Sequence, residues 1–136
     1  MEEAVILTNN GAVCEAFPEM TEAVAGGVED VFIAVRDAVH LGALLISHPL
    51  AGSVKPNETP YKSVMLRRSA NAVDFRSLGY IEDAIAALRG MPKRASAITE
   101  QALRDYALID LDLMRSARFS YFGAGEQNAR PLRKEG

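Results

Sequence analysis

Tryptophan is missing from this sequence, and cysteine occurs once, at Cys14. One thiol forms no disulfide within the chain, which excludes the small disulfide-stapled scaffolds and fits a reducing compartment. No window approaches the roughly 20 apolar residues that span a bilayer. The basic start and long apolar stretch of a secretory leader are also lacking, because Met1-Glu2-Glu3 is acidic and runs directly into Ala4-Val5-Ile6-Leu7. These absences predict a cytoplasmic protein with no membrane partner. Positive charge is scarce: 15 Lys and Arg stand against 18 Asp and Glu, a net −3. No global basic field exists to hold a nucleic-acid backbone. Neither a GxGxxG fingerprint nor a Walker lysine pattern occurs, so nothing supports a nucleotide site. The two histidines, His40 and His48, fall on different elements and Cys14 has no partner at ligand spacing. No metal and no cofactor are expected.

What is present suffices for one globular domain. The 136 residues are 49% hydrophobic and 24% charged, ordinary values for a chain that buries its own core. Residues 4–7 form a compact apolar run stopped by Thr8-Asn9-Asn10-Gly11, the pattern of a strand buried on both faces. A short helix is expected over 11–16 and a weak strand over 21–25. Val28, Val31, Val35, Ala38 and Val39 then recur at helical spacing, with Glu29 and Asp30 at the start and Gly42 just past the end. Early acids suit the helix dipole, and glycine suits a left-handed cap, so a helix is predicted over 29–41.

Residues 43–47 read as a third strand and 61–68 as a fourth. The spacing of Leu78, Ile81, Ile85 and Leu88 predicts an amphipathic helix, with Ser77 as its cap and Gly90 and Pro92 beyond it. A last helix is expected over 98–115, burying Leu103, Ala107, Leu111 and Met114. The polar, weakly basic stretch 123–136 reads as a disordered tail behind a single domain over 1–122. Alternating elements in the first half predict a small three-layer, Rossmann-like α/β fold, with a mainly parallel sheet of about four strands. The strand over 61–68 has no helix before it, so its direction is open. An uncovered edge, at 61–68 or 21–25, would make a homodimer plausible.

The segment between the third and fourth strands is the unusual one. It carries three prolines, Pro49, Pro56 and Pro60, with Gly52 and Asn57, and no period survives that density of breakers. Loops of this length in small domains commonly carry function. If the first and third strands were neighbours, Thr8, Asn9 and Asn10 would meet Ser47 and His48 at one sheet edge. Ser53, Lys55, Asn57, Thr59, Tyr61 and Lys62 would join them there, where ligands bind in open α/β sheets. Each residue also has a plain structural role. Asn10 can simply cap the helix after it, and His48 can hydrogen-bond the loop backbone rather than serve as a general base. Ser53 and Lys55 are a weak nucleophile and base pair. Asp105, Asp110 and Asp112 have an ordinary explanation as exposed helix acids near Arg104 and Arg115.

One longer pattern is more specific. Ile6-Leu7-Thr8-Asn9-Asn10, Val35-Arg36-Asp37 with His40-Leu41-Gly42, Leu108-Ile109-Asp110-Leu111 and, above all, the run His48-Pro49-Leu50-Ala51-Gly52-Ser53-Val54-Lys55-Pro56-Asn57-Glu58-Thr59-Pro60-Tyr61-Lys62-Ser63 resemble the GrdX family. The likeness spans about residues 4–115, with Gly11 standing where the family pattern leads one to expect proline. The resemblance implies an accessory role around glycine, sarcosine and betaine reductase, and it supplies no catalytic residue. Two readings follow. The first is a non-enzymatic binding protein that recognises a small anionic metabolite or a reductase component. There Lys55, Lys62 and the Asn9-Asn10 amides would hold the anion and His48 would orient it. The second is a small enzyme on an amino-acid-derived substrate, with His48 as acid–base and Lys55 stabilising an anion. Convergence of His48, Lys55 and Asn9 or Asn10 on one concave pocket would support both. Side chains pointing apart would leave a protein-interaction role.

Overall fold

The computed structural model describes residues 4–69, 72–94 and 96–123. The elements run β1 (Ala4–Thr8), α1 (Gly11–Ala16), β2 (Thr21–Ala23), α2 (Val28–His40), β3 (Leu44–Leu45), β4 (Ser63–Arg67), α3 (Phe75–Arg89) and α4 (Glu100–Phe122). Order and type agree with the sequence reading. The expected tail lies outside the described residues from position 124 onwards.

The sheet is mixed, which corrects the expectation of a mainly parallel one. Its order is β2-β1-β4-β3, and only β1–β2 is parallel. β4 runs antiparallel to β1, with Val5 opposite Leu66 and Thr8 opposite Ser63, and antiparallel to β3. The cause is the connection. A parallel return needs a crossover, normally a helix, whereas a loop on one edge brings β4 back in the opposite direction. β4 therefore separates β1 from β3, which are not neighbours, and it is central rather than an edge. Both of its neighbours still end on the edge where β4 begins, so the loop and the end of β1 do share that edge.

Alternation along β1 and β4 divides the core in two. Val5, Leu7, Val64 and Leu66 face Val31, Phe32, Val35 and Val39 of α2 and Ile81, Ala84 and Ile85 of α3. Ile6 and Met65 face Val13 of α1 and Leu111 and Met114 of α4. Helices thus cover both faces of the sheet. Phe32, with no exposed surface, sits in the first cluster; burying a side chain of this kind stabilises by roughly 1.5–3 kcal/mol relative to leaving it in water.

Helix ends follow local chemistry. α2 begins where the Asp30 carboxylate accepts from the Gly27 N–H at 2.8 Å. It ends in a Schellman arrangement, with Ala43 N–H donating to the Ala38 carbonyl and Gly42 N–H to that of Val39, and Gly42 at φ +105°. The cap of α3 is Asp74, not Ser77: its carboxylate accepts from the Ser77 N–H at 2.9 Å and the Ser77 hydroxyl at 2.7 Å. Ser77 instead ties the helix to the sheet, accepting from the Leu45 N–H. α4 runs seven residues beyond the expected Arg115, with Tyr121 packed on the second core cluster.

Gly26 offers a direct check of the α2 start. It lies at φ +112°, and a Cβ there would fall 2.2 Å from Asp30 Oδ2. Gly26→Ala is expected to destabilise by about 1–3 kcal/mol, measured by urea unfolding, because it combines a strained backbone with a displaced cap.

Candidate functional site

The edge where β1 ends and β4 begins carries a buried polar network instead of more apolar core. Thr8 and Ser63 follow Ile6 and Met65 on the α4 face of the sheet, and their hydroxyls lie 2.7 Å apart. Ser63 Oγ donates to Asp110 Oδ2 of α4 at 2.6 Å. Asn10 Nδ2 donates to the same oxygen at 3.1 Å and to the Ala107 carbonyl at 3.0 Å. Asn10 Oδ1 meanwhile accepts from the Ala12 N–H and so caps α1. Thr8, Asn10, Ser63 and Asp110 are all buried, and buried polar groups must be paired in this way. Asn10 is thus both a helix cap and a joint to α4.

Asn9 works on the loop. Its Nδ2 donates to the carbonyls of Pro60 and Gly26, and its Oδ1 accepts from the Lys62 N–H at 2.8 Å. Other pins hold the rest of the 48–62 segment. Asn57 Nδ2 donates to the Pro92 carbonyl, Thr59 Oγ1 accepts from the Tyr61 N–H, and Arg94 donates to the Glu58 carbonyl. Pro49 and Pro56 are buried. Gly52, at φ +102°, lies where a Cβ would come within 3.2 Å of Leu113 of α4.

His48, Lys55 and the asparagines do not converge, the outcome that on the sequence reading leaves these residues a protein-interaction role and no shared ligand pocket. His48 is exposed; its Nδ1 accepts from the Leu50 N–H at 3.0 Å, and its ring tilts against Tyr80 of α3 at 5.0 Å. Lys55 is exposed as well, and both asparagines use their side chains in the bonds just described.

A different subset of the loop does come together. Ser53, Thr59, Tyr61 and Lys62 line a cavity of about 80 Å³ between the loop and α4, whose wall is Tyr106, Ile109, Asp110 and Leu113. Lys62 is 6% exposed, and its Nζ donates to the Ala51 carbonyl at 3.3 Å. Desolvation holds this ammonium below its ordinary pKa, and the attraction of Asp110 offsets part of that shift. Asp110 is the residue that sequence reasoning passed over. Asp105 and Asp112 are exposed beside Gln101 and Arg115, as expected of helix acids. Asp110 falls on the buried stripe with Leu111 and Met114. A carboxylate within an apolar stripe was the available signal, and Tyr106, one turn earlier, shares its face.

A wider groove of about 730 Å³ lies between α2 and the β2 edge, lined by Leu7, Val24, Ala38 and Leu41 among others. Its chemistry is poorer, since its cation, Arg68, is paired with Glu22. Among the described residues no cluster of histidine, cysteine and carboxylates could hold a metal, and no helix is long and apolar enough to cross a membrane.

Neither the curated proteins nor the solved structures give a significant match. The family comparison does: residues 5–118 match the family described as GrdX-like protein. That span runs from β1 through the loop and the Lys62–Asp110 cavity into α4, and on it the chain belongs to the GrdX-like family.

Proposed function

We propose that this chain is a non-enzymatic accessory protein of glycine reductase systems that binds a small molecule through an anionic group. The site is the cavity under the 48–62 loop. The observation that carries this reading is Lys62, a lysine only 6% exposed that lines a cavity beside Asp110. Burying a lysine costs stability unless something compensates it, and an electrostatically perturbed residue in a cleft is a candidate functional position. The family membership supplies the metabolic setting. A partner docking on the outer face of the same loop would be a separate role.

His48 lies outside the cavity wall, so an acid–base step there would not use it. His48→Ala is expected to leave ligand binding unchanged and to alter stability by less than about 1 kcal/mol, the worth of one exposed hydrogen bond.

The test is a thermal-shift series with acetate, acetyl phosphate, glycine, sarcosine and betaine on wild type and Lys62→Met. Stabilisation of the wild type by at least one of them, absent in the variant, supports the reading. No stabilisation, or equal stabilisation of both proteins, contradicts it.

A further inference from the structure

The cavity has two charges, and they are opposite. Lys62 and Asp110 both line it, together with Thr59, Tyr61 and Tyr106. The two attract one another, yet the ammonium spends its hydrogen bond on the Ala51 carbonyl rather than on the carboxylate. On Asp110, Ser63 and Asn10 both bond Oδ2, and among the described residues no hydrogen bond to Oδ1 is found. The ammonium likewise has protons to spare, since it carries three donors.

A simple anion placed against Lys62 would share this small space with the Asp110 carboxylate and be repelled by it. A simple cation would meet the same objection from Lys62. A molecule with both charges turns each repulsion into an attraction. Size narrows the choice further: about 80 Å³ holds a few waters or one ligand of a handful of heavy atoms, well short of the 300–1,000 Å³ of pockets for larger ligands.

Resting on the function proposed above, we infer that the ligand is a small zwitterion of the size of the simplest α-amino acids. Its carboxylate meets the Lys62 ammonium and its ammonium meets the Asp110 carboxylate. Thr59, Tyr61, Tyr106, Ile109 and Leu113 line the rest of the cavity, whose volume sets the size limit.

Titration calorimetry on the full chain tests this with glycine, acetate, methylammonium, glycinamide and leucine as probes. Glycine is expected to bind at least tenfold more tightly than each of the other four. Asp110→Asn, checked for native circular dichroism, is expected to lose that preference over acetate. Because the wild-type series alone decides the matter, a poorly folded variant does not rescue the inference. Acetate binding as tightly as glycine overturns the zwitterion while leaving the anion site in place. Leucine binding as tightly as glycine overturns the size limit. No heat from any probe overturns both.

Discussion

Replacing Lys62 by Met is expected to weaken ligand binding at least tenfold and to remove a pH-dependent component of stability. The first effect follows from the charge-assisted hydrogen bond that the ammonium offers to an anionic group, worth roughly 1.5–3 kcal/mol. The second follows from the direction of its pKa. Burial lowers the folded-state value below the ordinary 10.5. Below the folded value both states carry the proton, and the cost of desolvating the charge is present in full. Between the folded value and 10.5 the unfolded chain holds a proton that the folded chain has released, so stability rises with pH across that window. Lys62→Met has nothing to titrate there. Urea unfolding from pH 7 to pH 10.5 should show wild type gaining on the variant as pH increases. A constant difference between the two would mean that Lys62 is solvated in the folded protein. At neutral pH the substitution is expected to be mild, within about 1 kcal/mol, since the apolar side chain removes a buried charge while Asp110 loses an attractive neighbour.

Asp110→Ala is expected to be the most disruptive single change near the site. It leaves Ser63 Oγ and Asn10 Nδ2 without the acceptor they share at 2.6 and 3.1 Å. Both residues are buried; Asn10 Nδ2 keeps the Ala107 carbonyl and Ser63 Oγ keeps the Thr8 hydroxyl, so each loses one hydrogen bond to a charged acceptor, worth about 1.5–3 kcal/mol. A total of roughly 3–5 kcal/mol is expected, read from urea midpoints. Asp110→Asn keeps a carbonyl oxygen as acceptor and should lose about 1–2 kcal/mol. Asp112→Ala is the control two residues away: its partner Arg115 is exposed with it, and such pairs are worth under about 1 kcal/mol. Equal losses for Asp110→Ala and Asp112→Ala would show that the Thr8–Ser63–Asp110–Asn10 network does not join α4 to the sheet.

Helices α2 and α3 were legible because Val31, Val35 and Val39, and Ile81 and Ile85, repeat at the helical period and are buried for that reason. β1 was legible because both its faces meet helices, which demands a continuous apolar run. The direction of β4 was not legible. Strand pattern is the same in either direction, and only the connection decides it, so a loop without a helix leaves the sheet order open. The cap of α3 was missed because Asp74 and Ser77 are both good capping types three residues apart, and the pattern does not say which carboxylate or hydroxyl reaches the free amides.

The lining of the candidate cavity was legible in half. Composition pointed to the 48–62 loop, and Ser53, Thr59, Tyr61 and Lys62 do line its cavity. The other wall comes from α4, about 50 residues later, and no local pattern announces a long-range neighbour. Asp110 stands among several acids on one helix, where exposure is the ordinary expectation. Position on the stripe with Leu111 and Met114 distinguishes it from Asp105 and Asp112. His48 drew attention as a titratable group at a strand end, but its Nδ1 is used by the Leu50 N–H and its ring by Tyr80. The same loop chemistry that suggested a ligand mostly fixes the loop itself, through Asn9, Asn57 and Thr59.

The most direct measurement is amide chemical-shift mapping of the full chain titrated with glycine. Saturable shifts concentrated at residues 51–54, 59–63 and 106–113, and abolished in Lys62→Met, are the predicted result. Shifts confined to the groove of Leu7, Val24, Ala38 and Leu41, or no shifts at all, would contradict the assignment of the site to the Lys62–Asp110 cavity.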